Sequence, residues 1–137
     1  MIHILDAGPL IAALNRADRH HHWAVETLAR LSPPLHSCAE AMAEAAAMTG
    51  RPAAIVEMVQ AGDIALTFNL ADHSGAVLAL LKKYSDRDMD LADACIVRMS
   101  ELTKACRVIT VDRADFSVYR RNGRDLIPLL APPAKRA

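Results

Sequence analysis

The sequence predicts a three-layer α/β fold, with a mostly parallel central sheet flanked by helices. Short apolar runs of strand length alternate with longer helix-forming segments throughout the chain. Hydrophobic residues make up 53% of the sequence and aromatic residues only 4%, so the core is packed mainly from Ala, Leu, Val and Ile, which suits helices lying close on a sheet. The length, 137 residues, fits one domain that buries a real core without disulfides or structural metal.

Ile2 to Leu5 reads as a strand, and Asp6-Ala7-Gly8-Pro9 turns the chain into a helical stretch from Leu10 to Asn15. Asp18 reads as the N-cap of a second helix through Trp23, Val25, Leu28 and Leu31, which Ser32-Pro33-Pro34 ends. Leu35 to Cys38 reads as a strand. Ala39 to Thr49 is an alanine-rich helix with Gly50 at the C-terminal glycine position, and Pro52 starts another helix closed by Gly62. Ile64 to Phe68 is the third strand. The helix Ala71 to Tyr84 follows, apolar at Val77, Leu78 and Leu81, with Lys82 and Lys83 at its favourable end. After a polar loop, Ser85 to Asp88, come a helix from Asp90 to Ala105 and a β-branched strand from Arg107 to Val111. The expected domain spans residues 1–131, with a frayed tail from Pro132 to Ala137.

Lys plus Arg and Asp plus Glu each number 16, which excludes a uniformly cationic coat but not a nucleic-acid ligand. If several acids withdraw into one pocket, the remaining surface is net basic. Cys38, Cys95 and Cys106 are odd in number and lack Cys-x-x-Cys spacing, which suggests free thiols in a reducing compartment. The N-terminus has no basic leader and no run approaches membrane-spanning length, so the expectation is a soluble cytoplasmic protein that does not engage a membrane.

Acidic residues carry the functional signal. Asp6 closes the first strand, Glu44 lies in the alanine-rich helix, Asp93 sits in Asp-Leu-Ala-Asp-Ala, and Asp112 follows the last strand. Carboxylates beside a core are costly unless partnered, so their convergence would imply a bound divalent cation. Each also has a plainer reading. Asp6 before Gly-Pro can support a turn, and Asp90 is most simply an N-cap. Glu40 and Glu44 stack on one helix face, with Glu40 in the first turn. Asp112 lies nearer the strand end than Asp115, which can cap the next turn, and Thr110 can support either.

His20, His21 and His22 are consecutive, so on a helix they splay and cannot chelate together, while His3 and His36 lack a partner at ligand spacing. There is no zinc motif, glycine-rich phosphate loop or Gly-x-Ser-x-Gly elbow.

In this order the motifs resemble those of PIN-domain nucleases, and especially the VapC-type toxins of bacterial toxin–antitoxin pairs, over nearly the whole chain. Ile4-Leu5-Asp6-Ala7-Gly8-Pro9-Leu10-Ile11-Ala12 resembles the first motif, Ala41 to Ala47 the second, Asp90-Leu91-Ala92-Asp93-Ala94 the third, and Ile109-Thr110-Val111-Asp112-Arg113-Ala114-Asp115-Phe116 the fourth. The resemblance implies catalytic residues Asp6, Glu44, Asp93 and Asp112, with Asp90 a companion of Asp93. The second glutamate, Glu40, departs from the family pattern. The resemblance further implies Mg2+ or Mn2+ in the acidic pocket, endonuclease activity on RNA, a homodimer and a cognate antitoxin.

Asp6, Asp93 and Asp112 are the expected metal ligands, with Glu44 positioning the attacking water or a second ion. Glu40, Asp90, Thr110 and Asp115 are supporting or alternative residues, and Lys82, Lys83, Arg113, Arg120, Arg121 and Arg124 are candidate contacts to the RNA backbone. Rival readings are a housekeeping PIN nuclease without an antitoxin and a non-catalytic PIN-like or receiver-like binding module. A haloacid-dehalogenase-type phosphohydrolase wants a second Asp two residues after the first, where this chain has Gly8.

Overall fold

A computed structural model describes residues 1–134; the part of the expected tail from Lys135 to Ala137 lies outside the described residues. In chain order the elements are β1 (Ile2–Leu5), α1 (Ala7–Leu14), α2 (His21–Arg30), β2 (Leu35–Cys38), α3 (Ala39–Thr49), α4 (Pro52–Gln60), β3 (Ile64–Phe68), α5 (Ser74–Lys83), α6 (Leu91–Leu102), β4 (Cys106–Ile109), α7 (Arg113–Phe116), β5 (Arg120–Arg121), β6 (Asp125–Leu126) and β7 (Leu129–Leu130). Five strands form one sheet in the order β3-β2-β1-β4-β7, every neighbouring pair parallel, as the alternation of strand and helix predicts. β5 and β6 form a separate antiparallel pair.

The chain winds outward from β1 through β2 to β3, then returns across β1 to lay down β4 and β7. Strand order therefore reverses between β1 and β4, and in such sheets the crevice for ligands opens at the carboxyl ends of the strands at that point. α6 packs across β1, β2 and β4, with Ala92, Ala94, Cys95, Ile96, Val97, Met99 and Ser100 buried.

Local boundaries differ from expectation where side-chain caps decide them. α1 starts directly at Ala7 because Asp6 caps it; Pro9 falls in the first turn, where a missing N–H is harmless. Asp18 does not cap α2: its carboxylate accepts from the His20 N–H at 2.8 Å, and the helix begins only at His21. Asn69 caps a short 3-10 turn from Leu70 to His73, which delays α5 to Ser74. On α5, Val77 and Leu80 are buried while Leu78 is exposed. α6 ends at Leu102, and β4 runs from Cys106 to Ile109, leaving Thr110 and Val111 beyond the strand. The edge strand β7 was not anticipated; it pairs Val108 with Leu129 and Ile109 with Leu130.

A close approach brings the ends of β1 and β4 together, and an aromatic cluster fixes the segment beyond. A Cβ on Gly8 would lie 2.5 Å from Cγ2 of Val111, so the start of α1 approaches the segment after β4 as closely as only glycine permits. Beyond it, Tyr119 is fully buried, with its ring edge-on to Tyr84 and Phe116 at 5.0 and 5.2 Å between centroids. These rings anchor the segment that follows α7.

Candidate functional site

Asp6 follows the last residue of β1 and is 6% exposed. One carboxylate oxygen accepts from the Ala7 N–H at 2.9 Å, and the other accepts from the Thr110 hydroxyl at 2.8 Å. The same hydroxyl oxygen accepts from the Asp112 N–H at 3.0 Å. Thr110, fully buried, therefore joins the two strand-end acids through one side chain. Burial pushes the Asp6 carboxyl up from 3.8 to about 6 despite the bonds from Thr110 and Ala7, and the charges of Glu44 and Asp90 push the same way.

Asp90 and Asp93 form a reciprocal cap at the start of α6. Asp90 accepts from the Asp93 N–H at 2.7 Å, and Asp93 accepts more weakly from the Asp90 N–H at 3.4 Å. The Tyr119 hydroxyl also donates to Asp93 at 3.4 Å. Burial, followed by the charges of Asp90, Asp6 and Asp112, raises Asp93 to about 7. Asp112 caps α7 by accepting from the Asp115 N–H at 3.0 Å, and it too is raised, chiefly by burial. Asp115 is held in turn by Arg87 at 3.1 Å.

The two glutamates of α3 face different surroundings. Glu44 is half-buried and raised by burial and by the charge of Asp90, and its own charge acts on Asp6. Glu40 has one carboxylate oxygen buried without a hydrogen-bond partner, and its charge bears on the thiols of Cys38 and Cys95. All three cysteines are free and buried.

The structure thus places Asp6, Glu44, Asp90, Asp93 and Asp112 in one electrostatic field at the crevice between β1 and β4. As the side chains stand, no three His, Cys, Asp or Glu groups among the described residues are close enough to hold an ion. Asp6, Asp93 and Asp112 direct oxygens to helix-start N–H groups.

The candidate cations are scattered. Arg113 donates to the carbonyls of Ala131 and Pro132, Arg120 to those of Ser117, Val118 and Tyr119, and Arg121 to that of Lys104. The Lys83 ammonium lies 5.4 Å from the centre of the Tyr84 ring. Lys82 and Arg124 are exposed. The consecutive histidines part company: His20 accepts from Arg19, His21 contacts the Ala12 carbonyl, and His22 meets Glu26.

Arg87 and Tyr119 were missed by sequence reasoning. Arg87 lies in what reads as a plain polar loop, and its partner Asp115 is far along the chain. The only sequence signal for Tyr119 is its being an aromatic residue in a chain poor in them.

No protein-family model matches the chain, and no curated protein matches it significantly. Among solved structures it is similar to the VapC20 toxin of Mycobacterium tuberculosis, a sarcin-ricin loop cleaving toxin. Sequence identity is 14%, the TM-score is 0.75, and the match covers 92% of this chain and 99% of that one. At this identity the likeness is one of fold, and it bears out the PIN-like three-layer architecture expected from the sequence.

Proposed function

We propose that this protein is a metal-dependent endoribonuclease of the PIN type and the toxin of a VapC-like toxin–antitoxin pair. The observation that carries the reading is the set Asp6, Glu44, Asp93 and Asp112, gathered at the switch point of the sheet with every carboxyl raised. Raised carboxyls mark crowded, poorly solvated negative charge, and such sites are functional more often than others. The neighbour of like fold cleaves RNA, in the sarcin-ricin loop.

The donor set fits Mg2+ or Mn2+. It is all oxygen, as hard divalent ions prefer, and a cation there would offset the burial and, after it, the mutual repulsion that lift Asp6 and Asp93. Asp6, Asp93 and Asp112 would hold the ion directly or through water. When bound, such an ion polarises a phosphoryl oxygen and lowers the pKa of water.

The chain's own groups have distinct parts in hydrolysis. Thr110 fixes the rotamer of Asp6 and the backbone at Asp112. Asp90 and Tyr119 steady Asp93. Glu44, its carboxyl raised by burial, is suited to take the proton of the water that attacks phosphorus as the ester oxygen departs. Arg87 holds Asp115, whose N–H donates to the Asp112 carboxylate. A cognate antitoxin, a homodimer and a cytoplasmic location belong to the same proposal; no helix among the described residues is long and apolar enough to cross a membrane.

The test is to express the protein under control, sequence the RNA fragments that accumulate, and compare them with those from an Asp6→Ala strain. New fragment ends restricted to the wild-type strain support the reading. Identical fragments in both, together with no cleavage by purified wild type in Mg2+ or Mn2+, overturn it.

A further inference from the structure

A cavity of about 460 Å3 opens beside Asp112. Its walls include Arg19 and His20 from the α1–α2 connection, Asp112 and Arg113 from the start of α7, and Pro132. Arg113 is engaged there, donating to the carbonyls of Ala131 and Pro132 at 3.4 and 3.3 Å. Arg19 is exposed and differently placed: its Nε donates to Nε2 of His20 at 3.0 Å, and among the described residues its guanidinium meets no carboxylate. Among the described residues the terminal N–H groups of Arg19 have no hydrogen-bond partner and are placed to bind an anion.

His20 is also the N-cap residue of the ten-residue helix α2, and its side chain makes no capping bond. The positive end of that helix therefore lies at the wall of the cavity, where the Asp18 carboxylate accepts from the His20 N–H and no side chain of the N-cap residue caps the first turn. The Arg19 guanidinium is what favours a phosphate here, and the cavity volume is in the range of small-ligand sites. Because Asp112 belongs to the same wall, a ligand seated here is continuous with the acidic crevice.

We propose that this cavity binds a phosphodiester flanking the one that is cleaved, with Arg19 clamping it, so that single-stranded RNA runs over the α1–α2 connection into the acidic crevice. This rests on the nuclease reading. Arg19 is a substrate-binding residue in it, and its contribution falls on binding rather than on bond breaking.

The test uses the full chain carrying Asp6→Asn, which removes a proposed catalytic acid, and measures anisotropy of a labelled single-stranded RNA oligonucleotide across a salt series. Arg19→Gln in that background is expected to weaken binding about tenfold and to lower the salt slope by about one. Arg51→Gln, an exposed arginine at the turn between α3 and α4, controls for loss of charge alone. It is expected to change affinity by less than about twofold. In the otherwise wild-type chain, Arg19→Gln should raise KM while kcat stays within about threefold. Unchanged binding in Arg19→Gln, or equal weakening in Arg51→Gln, overturns the proposal. Cleavage by wild type but not by Asp6→Asn judges the nuclease reading separately, so the two can fail independently.

Discussion

Replacing Asp6 with Asn makes the sharpest prediction, because it is expected to stabilise the protein while destroying its chemistry. The Asp6 carboxyl is raised from 3.8 to about 6, so the folded protein holds this proton more tightly than the unfolded chain does. Stability from this group is then full below 3.8 and is lost as pH rises to about 6, the reverse of a salt-bridged carboxylate. At 1.36 kcal/mol per pH unit, the wild type carries a penalty of about 3 kcal/mol above that window. Asn is neutral throughout and can still accept from the Ala7 N–H, but it disturbs the bond from Thr110, a loss of about 1 kcal/mol.

The net expectation for Asp6→Asn is a gain of about 2 kcal/mol near pH 8 in chelator, shrinking to nothing or a slight loss near pH 4. Urea denaturation at both pH values measures it. Saturating Mg2+ should reverse the order: wild type gains about 2.7 kcal/mol at a hundredfold excess over Kd, and the variant gains little. An Asp6→Asn protein no more stable than wild type near pH 8, or equally favoured near pH 4, would refute the claim that this carboxylate is held charged against its surroundings.

Thr110→Val leaves one Asp6 carboxylate oxygen and the Asp112 N–H without a partner beside a fully buried position, an expected loss of about 2–4 kcal/mol. Thr110→Ser keeps the hydroxyl and should recover most of it in the same urea experiment; equal losses would mean that packing, not the bridge, matters there. Gly8→Ala drives a methyl into Val111 and should cost about 1–3 kcal/mol, with Val111→Ala added in the same chain restoring most of the loss. Failure of that rescue in thermal melts would locate the strain elsewhere. Glu44→Gln should lower kcat about a hundredfold or more, whereas Glu40→Gln should leave kcat within about threefold, and stability within about 1 kcal/mol because the amide still buries an unpartnered polar atom. The opposite ranking of the two rates would move the catalytic assignment to Glu40.

Elements with firm local signals were legible to the residue. Ile2–Leu5, Leu35–Cys38 and Ile64–Phe68 are strands as expected, and Ala39–Thr49 is a helix that Gly50 ends with φ 67. In each, the apolar pattern and its terminator lie within a few residues of one another. β7 was not legible because a two-residue strand has no period to detect, and its partner β4 lies well upstream in the chain. α2 was misplaced because Asp18 satisfies a turn before the helix, and sequence alone does not distinguish that bond from a cap. The acids of the site were visible as residue types at strand ends and in α3. Arg87 and Tyr119 were not, since what matters for them is contact with Asp115 and Asp93, formed by docking α7 and its sequel against α6.

The cap reading and the ligand reading of the acids turn out not to compete. Asp6 caps α1, Asp90 and Asp93 cap α6 together, and Asp112 caps α7. Each helix start supplies N–H donors and the positive end of a dipole, which is what allows several carboxylates to be placed close together beside a core without a basic side chain in every pair. The offset is incomplete, as the raised carboxyls of Asp6 and Asp93 show. Among the described residues the oxygens left open are the second oxygens of Asp93 and Asp112, already oriented by the first, whereas both oxygens of Asp6 are engaged, one by the Ala7 N–H and one by the Thr110 hydroxyl. A turn-forming Asp and a metal-holding Asp are thus one residue using its two oxygens differently. For that reason, substituting Asp112 with Asn should lower cation affinity more than stability, because the amide oxygen still caps α7. Calorimetric titration of Mn2+ alongside urea denaturation would separate the two effects, and a loss confined to stability would show the residue to be a cap alone.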